Sequence, residues 1–224
     1  MTRKTMAVAS TLAAIAMLAA AWVVGSVLPA EMPLPIHWGL DGEPDGFSDK
    51  WTALLMPAGL VAGISALLYF LPGLEPRRQG LQRSQGLYLW SWAALLILGA
   101  TIQLAVISVA LRWSVHGTSF ILAGLGLVFV LIGNQLGKSR SMYLIGIRTP
   151  WTLASEEVWI KTHRLAGKLM VGGGLLLVIA AFLPLPSGLI ATLIGGVLVV
   201  AVLVPIAYSY LLWRGEVRRN QASG

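Results

Sequence analysis

LMVGGGLLLVIAAFLPLPSGLIATLIGGVLVVAVLVPIAYSYLLW, residues Leu169–Trp213, is a run of 45 residues without a formal charge. A helix needs about 20 apolar residues to cross the hydrocarbon core of a bilayer, so this run is long enough for two such helices. The interruption LPLPSG, residues 183–188, combines two prolines with a glycine and predicts a turn between them. The stretch therefore predicts a pair of membrane-spanning helices rather than the core of a soluble domain.

Four further uncharged runs precede this one, in a chain of 224 residues that is 57% hydrophobic and only 11% charged. Soluble domains are about a quarter charged, so the composition also favours a membrane protein. We predict an all-α, polytopic protein with six spanning helices, whose cores cover residues 6–28, 52–72, 88–110, 118–136, 168–184 and 188–211. The first follows Arg3 and Lys4 but exceeds the length of a signal-peptide apolar region, so we expect it to be retained.

The distribution of Lys and Arg predicts how the chain crosses the membrane. Of 16 such residues, 14 lie in the N-terminus, residues 73–85, residues 138–168 and the C-terminal tail, which alternate with the other connections. Only Lys50 and Arg112 lie in those other connections. The positive-inside rule then places both termini, residues 73–85 and residues 138–168 in the cytoplasm. Because topology accounts for the net charge of +7, no direct nucleic-acid partner is expected.

The predicted spans contain no Asp, Glu, Lys or Arg near their centres, although ion-coupled transporters usually hold such groups in the membrane. This disfavours an ion-coupled transporter, whereas a transporter or channel lined by carbonyl groups stays open as an alternative. Gly59 and Gly63 form a GxxxG pattern on the second span. We interpret this pattern, together with the glycines at 172–174 and 195–196, as surfaces for close helix packing.

The first connection on the predicted outer side, residues 29–51, is acidic. It carries five carboxylates against Lys50, a net charge of −4, and its prolines favour extended chain at its start. We predict an extracytoplasmic ligand site on this loop. The candidate ligand-binding residues are His37, Trp38, Asp41, Glu43 and Asp45. An alternative role for Trp38 is to anchor the loop at the bilayer interface.

The acidic loop does not predict a metal site. Its carboxylates partly match a calcium-binding loop, but Thr52 stands where the bidentate glutamate is needed and Pro44 interrupts the pattern. No second histidine lies near His37 in the sequence, and the chain has no cysteine to supply a thiolate ligand. We therefore expect no metal and no cofactor.

GIRTPWTLASEEVWIKTHRLAGK, residues Gly146–Lys168, is unusually polar for this chain. Thr152 or Ser155 can cap a helix that begins here, and Glu156 and Glu157 then lie in its first turn, where the helix dipole favours negative charge. Apolar residues recur at helical spacing along one side. We interpret the segment as an amphipathic helix on the cytoplasmic interface that leads into the fifth span.

In this interpretation Trp151 and Trp159 lie at the level of the lipid headgroups and the basic residues contact anionic lipid. An interfacial helix does not explain the density of specific residue types, so we also predict that Arg148 or Arg164 pairs with a glutamate and braces a docking surface. The candidate partner-binding or structural residues are Asn134, Arg148, Thr149, Pro150, Trp151, Thr152, Glu156, Glu157, Trp159, Thr162, His163 and Arg164.

A membrane enzyme is the second alternative, with His163 as its general base. The sequence contains no HExxH, GxSxG or phosphate-binding loop. A single histidine without a placed partner is weak support for catalysis, so we predict that the protein is not an enzyme.

Two segments carry a resemblance to known proteins. GNQLGKSRSMYLIGIRTPWTLASEEVWIKTHRLAGK, residues Gly133–Lys168, resembles the signature of the SdpI family of bacterial membrane proteins. PLPIHWGLDGEPDGFSDK, residues Pro33–Lys50, resembles the outer-loop domain of unknown function that often precedes it. One departure is Met142, where the family pattern has Asn. We accordingly divide the chain into an N-terminal module, residues 1–112, and an SdpI-like module, residues 113–224.

The resemblance implies immunity and signalling in the bacterial cytoplasmic membrane. The family includes a protein that protects its bacterium from a secreted peptide toxin and holds a winged-helix repressor at the membrane when toxin is present. Carried onto this chain, the outer-loop residues would face the toxin. Residues 73–85 and the motif from Arg148 to Arg164 would face the cytoplasmic repressor.

Overall fold

The computed structural model describes residues 2–39 and 42–222. Its helices are α1 (Arg3–Val27), α2 (Lys50–Phe70), α3 (Arg78–Arg83), α4 (Gln85–Ala110), α5 (Gly117–Leu136), α6 (Pro150–Ala154), α7 (Glu156–Ala180) and α8 (Ser187–Ala222). Strands β1 (Pro33–Trp38) and β2 (Pro44–Asp49) lie between α1 and α2, and a 3₁₀ turn, Leu71–Leu74, follows α2. Six helices, α1, α2, α4, α5, α7 and α8, are long and apolar enough to cross a membrane, which confirms the predicted polytopic, mainly α-helical class.

The fifth spanning helix begins earlier than predicted. α7 starts at Glu156, where Ser155 Oγ caps it by accepting the N–H of Val158 at 3.3 Å, and it continues without a break to Ala180. The helix predicted to begin near Thr152 or Ser155 and the fifth span, whose core was predicted at residues 168–184, form this one helix, and the charged residues of the motif lie on its exposed side. The turn predicted at LPLPSG is confirmed, since α8 begins at Ser187.

The connections between the spanning helices collect at two ends of the bundle. The hairpin end contains residues 28–39, 42–49, 111–116 and 181–186, and the motif end contains residues 71–84 and 137–155. α1, α2 and α4 form one group, α5, α7 and α8 form another, and α4 packs against α5 between them. The boundary of the two predicted modules falls at the turn between α4 and α5, and this division stays a prediction.

The hairpin end carries a two-stranded antiparallel sheet that the all-α prediction did not include. β1 reads PLPIHW, and its alternate residues Leu34, Ile36 and Trp38 pack onto an apolar cluster formed by α1, α2 and α4. Leu34 is fully buried there. β2 pairs with β1 through a bulged register in which His37 lies opposite Gly46. The predicted extended chain was correct, but its pairing partner was not recognised.

Two polar contacts join the hairpin to the bundle. Thr118 Oγ1 at the start of α5 donates to Gly42 O, the carbonyl oxygen in the hairpin turn. Lys50 Nζ donates to Leu28 O, which follows α1, at 2.7 Å. The hairpin is therefore held by the N-terminal group through Leu34 and Lys50, and by the C-terminal group through Thr118.

Two further hydrogen bonds cross the buried interior of the N-terminal helices. Gln103 Nε2 on α4 donates to Met17 O on α1 at 2.7 Å, and Trp92 Nε1 donates to Ser65 Oγ on α2 at 3.1 Å. Lipid offers no hydrogen-bond partner, so such contacts between helices satisfy polar groups within a membrane. They fix α4 against both of its neighbours.

α5 and α7 approach each other closely because glycines face the opposing backbone. A Cβ atom on Gly174 would lie 2.6 Å from Gly126 O, and one on Gly133 would lie 2.9 Å from Gly167 O. Real Cβ atoms do not come this close to backbone atoms, so a methyl group at either position requires the helices to separate. Glycine is the residue that permits this contact.

The predicted GxxxG packing surface is not used within the chain. A Cβ atom on Gly59 or Gly63 would have no atom of the described residues within 4 Å, and the same holds for Gly172, Gly195 and Gly196. Within the chain, these glycines therefore make no close helix contact. Within residues 172–174 the predicted packing is present at Gly173, where a Cβ atom would lie 2.6 Å from the side chain of Val197 on α8, and at Gly174, which faces α5.

We predict that Gly133→Ala and Gly174→Ala lower the thermal stability of the purified protein, by about 1–3 kcal/mol each, because each overpacks the contact between α5 and α7. Gly59→Ala and Gly63→Ala are the matched controls and should stay within about 0.5 kcal/mol of the parent. Tryptophan fluorescence during thermal unfolding in detergent measures the difference. Equal destabilisation in both pairs would contradict the close contact of α5 with α7.

Candidate functional sites

The hairpin end brings two of the predicted ligand-binding residues into contact. His37 Nδ1 lies 2.5 Å from Asp45 Oδ1 across the two strands. Both side chains are mostly exposed, at 71% and 55%. A pair in this position is open to solvent and to any ligand that approaches the hairpin. It contributes little to stability, since exposed ion pairs are screened by water and salt.

The other predicted loop residues lie around the hairpin turn. The ring of half-buried Trp38 packs against Gly117 at the start of α5. Glu43 is exposed, and its carbonyl oxygen accepts the N–H of Gly39 at 2.9 Å. Asp41 lies outside the described residues.

Two other charges of the acidic loop have structural roles. Asp49 caps α2, where its Oδ1 accepts the N–H groups of Trp51 and Thr52, each at 3.0 Å. Hydrogen bonds from Thr52 hold the pKa of Asp49 below its usual range, so this carboxylate is ionised at neutral pH. Lys50 is buried and bonded to Leu28 O. Asp49 therefore keeps its negative charge, but one of its carboxylate oxygens is already used by the helix cap.

A cleft of about 720 Å³ opens beside the hairpin turn. The hairpin, the ends of α4 and α5, and the turn between α7 and α8 all contribute to its lining. Trp38 and residues 183–186 provide apolar walls, and Glu43 and His116 are its ionisable groups. No Lys or Arg lines the cleft in the described part of the chain. Its walls therefore suit a ligand with apolar groups and positive charge.

The motif end is organised by a carboxylate that the sequence analysis did not select. Glu75, in the connection after α2, is only 2% exposed. Its Oε1 accepts the N–H of Arg77 at 2.8 Å, and its Oε2 accepts those of Tyr143 at 3.0 Å and Leu144 at 2.8 Å. One side chain therefore satisfies three backbone donors, two of them about seventy residues away in the chain.

Arg77 makes a second set of contacts to the same loop. Its guanidinium donates to Ser141 Oγ and to Leu153 O, the latter at 3.0 Å. It also lies over the ring of Tyr143, with 4.9 Å between the guanidinium carbon and the ring centroid. Together Glu75 and Arg77 attach the connection between α2 and α4 to residues 141–153. We call this set of contacts the brace.

The motif continues into α6 through a threonine capping box. Thr149 Oγ1 accepts the N–H of Thr152, and Thr152 Oγ1 accepts that of Thr149 at 2.9 Å, with Pro150 at the first helical position. Thr152 therefore completes the cap of α6 and does not begin the longer helix, which Ser155 caps as predicted. Trp151 Nε1 donates to Ser209 Oγ on α8 at 2.5 Å, so this tryptophan contacts protein rather than serving only as a lipid anchor.

Trp159 and His163 lie inside the bundle, with neither ring exposed. Trp159 does not present its ring to lipid as predicted, because its Nε1 donates to Ser139 Oγ at 3.1 Å and its ring stacks on His163 at 4.0 Å. Gly146, at a φ of +134°, allows the loop to cross directly over both rings. Thr162 is also fully buried, and its hydroxyl has no partner among the described residues.

The imidazole of His163 has both nitrogens occupied. Nδ1 donates to Trp159 O at 2.8 Å, since a carbonyl oxygen can only accept, and Nε2 accepts the N–H of Ile147 at 2.9 Å. The ring is therefore a neutral connector between α7 and the loop. It has no free nitrogen with which to act as the general base that the enzyme alternative required.

The predicted pairing of Arg148 or Arg164 with a glutamate is wrong. Arg148 donates to Tyr143 O, and Arg164 is exposed without an ion pair in the described part of the chain. Glu156 instead lies 3.8 Å from Arg140 and accepts the N–H of Ser141 at 3.3 Å.

Glu157 pairs with Lys161 at 2.5 Å, one helical turn away, as the spacing allows. Asn134 is exposed near the end of α5 and makes no hydrogen bond to a described residue. Asn134 and Arg164 therefore stay available to a partner.

The sequence held one signal for the brace. Glu75 is the only acidic residue within residues 73–85, which also contain three arginines. One carboxylate among several arginines suggests that it is buried in an ion pair. The partners of Glu75 are instead backbone N–H groups, which no sequence pattern marks. The departure at Met142 also has a structural account, since this residue is fully buried in an apolar cluster with Trp159 and Leu136.

Comparisons with known proteins agree with this geometry. The SdpI/YfhL protein family model matches residues 138–209, from the motif loop through α7 to the serine that bonds Trp151. A domain of unknown function, DUF1648, matches residues 11–61, which include the hairpin with α1 and α2. Both matches, like the sequence motifs, point to similarity with the SdpI family. The Immunity protein SdpI of Bacillus subtilis (strain 168) is 28% identical over 155 residues, which cover 69% of this chain and 71% of that relative. No solved structure matches the chain.

The SdpI signature therefore coincides with the segment that the brace holds in place. Several residues within the matched range also make the contacts described above, among them Thr149, Trp151 and His163. In this chain, those residues contact other parts of the same chain.

We predict that Glu75→Gln destabilises the protein by about 1–3 kcal/mol, because a neutral amide leaves part of the three-donor set without an acceptor. Glu157→Gln is the matched control: it removes the same charge from an exposed pair and should leave the unfolding midpoint unchanged. Thermal unfolding in detergent gives the comparison. A Glu75→Gln variant as stable as Glu157→Gln would disprove the brace.

Proposed function

We propose that this protein is an immunity-type protein of the bacterial cytoplasmic membrane, which protects its cell from a secreted peptide toxin. The observation that carries the proposal is the similarity to the Immunity protein SdpI over about two thirds of both chains. Six helices able to span a membrane and two structured ends are consistent with a receptor in the membrane.

The proposed topology has the hairpin end outside the cell and the motif end, with both termini, in the cytoplasm. The asymmetry of 14 Lys and Arg residues against 2 supports this orientation. The two basic residues on the hairpin side are Lys50, which is buried, and Arg112. A toxin arriving from outside would then meet the hairpin and its cleft first.

The cleft beside the hairpin is the proposed toxin site. Its apolar walls and the carboxylate of Glu43 suit a cationic, amphipathic peptide, and the exposed pair of His37 and Asp45 lies on the neighbouring strands. Long-range attraction by the acidic hairpin would favour encounter and would weaken as salt increases.

The motif end is the proposed surface for a cytoplasmic winged-helix repressor. The brace holds an exposed surface that includes Tyr143 and Arg148, with Asn134 and Arg164 near the same end. A surface fixed by buried contacts loses little conformational freedom on binding, which favours recognition. Sequestration of the repressor would follow from a change in this surface when toxin occupies the hairpin end.

We predict that a reporter fused within residues 73–85, or after the C-terminal residue, reports the cytoplasm. A reporter inserted in the hairpin turn near Asp45 should report the outside. Paired alkaline phosphatase and fluorescent protein fusions distinguish the two compartments. A periplasmic C-terminus would contradict both the topology and the placement of the toxin site.

We predict that the chain restores survival to a Bacillus subtilis 168 derivative that lacks its own SdpI and is exposed to the corresponding toxin. The Glu43→Gln, Asp45→Asn double variant should need on the order of tenfold less toxin for killing, because it removes the cleft carboxylate and the neighbouring ion pair.

Glu31→Gln is the control for that experiment, since Glu31 is an exposed carboxylate of the same loop that does not line the cleft. Membrane abundance must be equal in all strains. The same loss of protection in Glu31→Gln would assign the effect to overall loop charge, and full protection by the double variant would remove the cleft from the mechanism.

A further inference from the structure

A second cavity lies at the motif end, in a groove of about 470 Å³ between α3 and the loop at residues 140–141. Four of its nine lining residues are arginines, namely Arg77, Arg78, Arg83 and Arg140, and Glu156 is its only acidic member. The proposed function does not use this groove. Its concentration of positive charge in a concave surface calls for a separate explanation.

The groove has fixed walls. A Cβ atom on Gly80 would lie 2.1 Å from Ser141 O, so α3 rests directly on the backbone of the loop and no other residue fits there. Ser84 Oγ accepts the N–H of Arg140 at 2.8 Å and joins the two walls a second time. Arg77 lines the groove but is committed to the brace. These contacts fix the backbone of α3 and of the loop, and with it the positions from which the remaining arginines line the groove.

The side chains of Arg78 and Arg83 are exposed and make no hydrogen bond or ion pair with the described residues. The guanidinium of Arg140 is oriented by two carbonyl oxygens, Lys138 O at 3.3 Å and Ser139 O at 3.1 Å. The carboxylate of Glu156, at 3.8 Å, is too distant for a strong hydrogen bond to it. Three arginines therefore line the groove with most of their guanidinium donors unused.

We propose that this groove binds a phosphate-bearing anion through Arg78, Arg83 and Arg140. Guanidinium groups present paired N–H donors that match phosphate oxygens, and a converging set recognises phosphate better than a single charge does. The groove lies beside the end of α2 and the start of α4, where two spanning helices leave the bundle core. A phosphate at this level can belong to an anionic lipid headgroup or to a soluble phosphate, and both present the same chemistry.

The test uses the full chain purified in a neutral detergent, with the unfolding midpoint measured as a function of added ligand. A ligand that binds only the folded protein raises this midpoint. The probes are phosphatidylglycerol, phosphatidylcholine, inorganic phosphate and a poly-glutamate peptide. The variants are Arg78→Gln with Arg83→Gln, and the control Arg214→Gln with Arg218→Gln, which removes two exposed arginines from α8.

Phosphatidylglycerol should raise the midpoint of the parent and the control, and its apparent affinity should fall about tenfold for each groove arginine removed. A response to phosphatidylglycerol alone identifies a lipid headgroup, and a matching response to inorganic phosphate identifies a soluble phosphate. Arg83→Gln alone provides a milder variant should the double variant fold poorly. Equal responses in groove and control variants, equal responses to phosphatidylcholine, or tighter binding of poly-glutamate would each overturn the proposal.

Discussion

The carboxylate of Glu75 and its three backbone donors form the interaction on which the motif end depends. A buried charge is costly unless hydrogen bonds replace the water it has lost, and Glu75 receives them from Arg77, Tyr143 and Leu144. Removing the carboxylate would leave those N–H groups without partners. Residues 141–149, which precede α6, form no regular secondary structure. Their conformation is therefore fixed by contacts to Glu75 and Arg77, which lie in a different part of the chain.

The two helix groups are joined at both ends of the bundle, and by different chemistry at each. At the hairpin end, Thr118 on α5 bonds the hairpin turn, which belongs to the N-terminal group. At the motif end, the brace connects the segment after α2 to the loop that precedes α6. Between these ends α4 packs against α5, while glycines bring α5 against α7. A ligand that moves the hairpin therefore acts on a body connected to the motif surface, which is the physical basis for the proposed signalling.

Much of the membrane architecture was predictable, because long uncharged runs and a proline-rich break are local properties of the sequence. The Ser155 cap and the pair of Glu157 with Lys161 were predictable for the same reason, since both depend on residues within one helical turn. The contacts of Glu75 were not, because their partners are distant backbone groups. The apolar stripe that suggested an interfacial helix is instead the side of α7 that carries Trp159 and His163 into the bundle.

The GxxxG pattern is the reverse case, because the sequence pattern is present but the predicted contact within the chain is not. Small residues at this spacing permit close packing but do not specify a partner, so the pattern cannot distinguish Gly59 and Gly63 from the glycines that α5 and α7 use. For the outer-loop residues, the sequence predicted which side chains could bind a ligand but not which of them are in contact. His37 and Asp45 were selected for their chemistry, but their contact depends on strand pairing. Asp49 was counted only as a charge, although its Oδ1 also caps α2.

Hydrogen exchange of the motif loop tests the central claim most directly. With the protein in lipid nanodiscs, the amides of Tyr143 and Leu144 should be protected in the parent, because both donate to Glu75. In Glu75→Gln the exchange of residues 141–147 should accelerate by about tenfold or more, while the core of α5 stays protected. Unchanged exchange in that loop would contradict the account, because it would mean that the motif holds its shape without the brace.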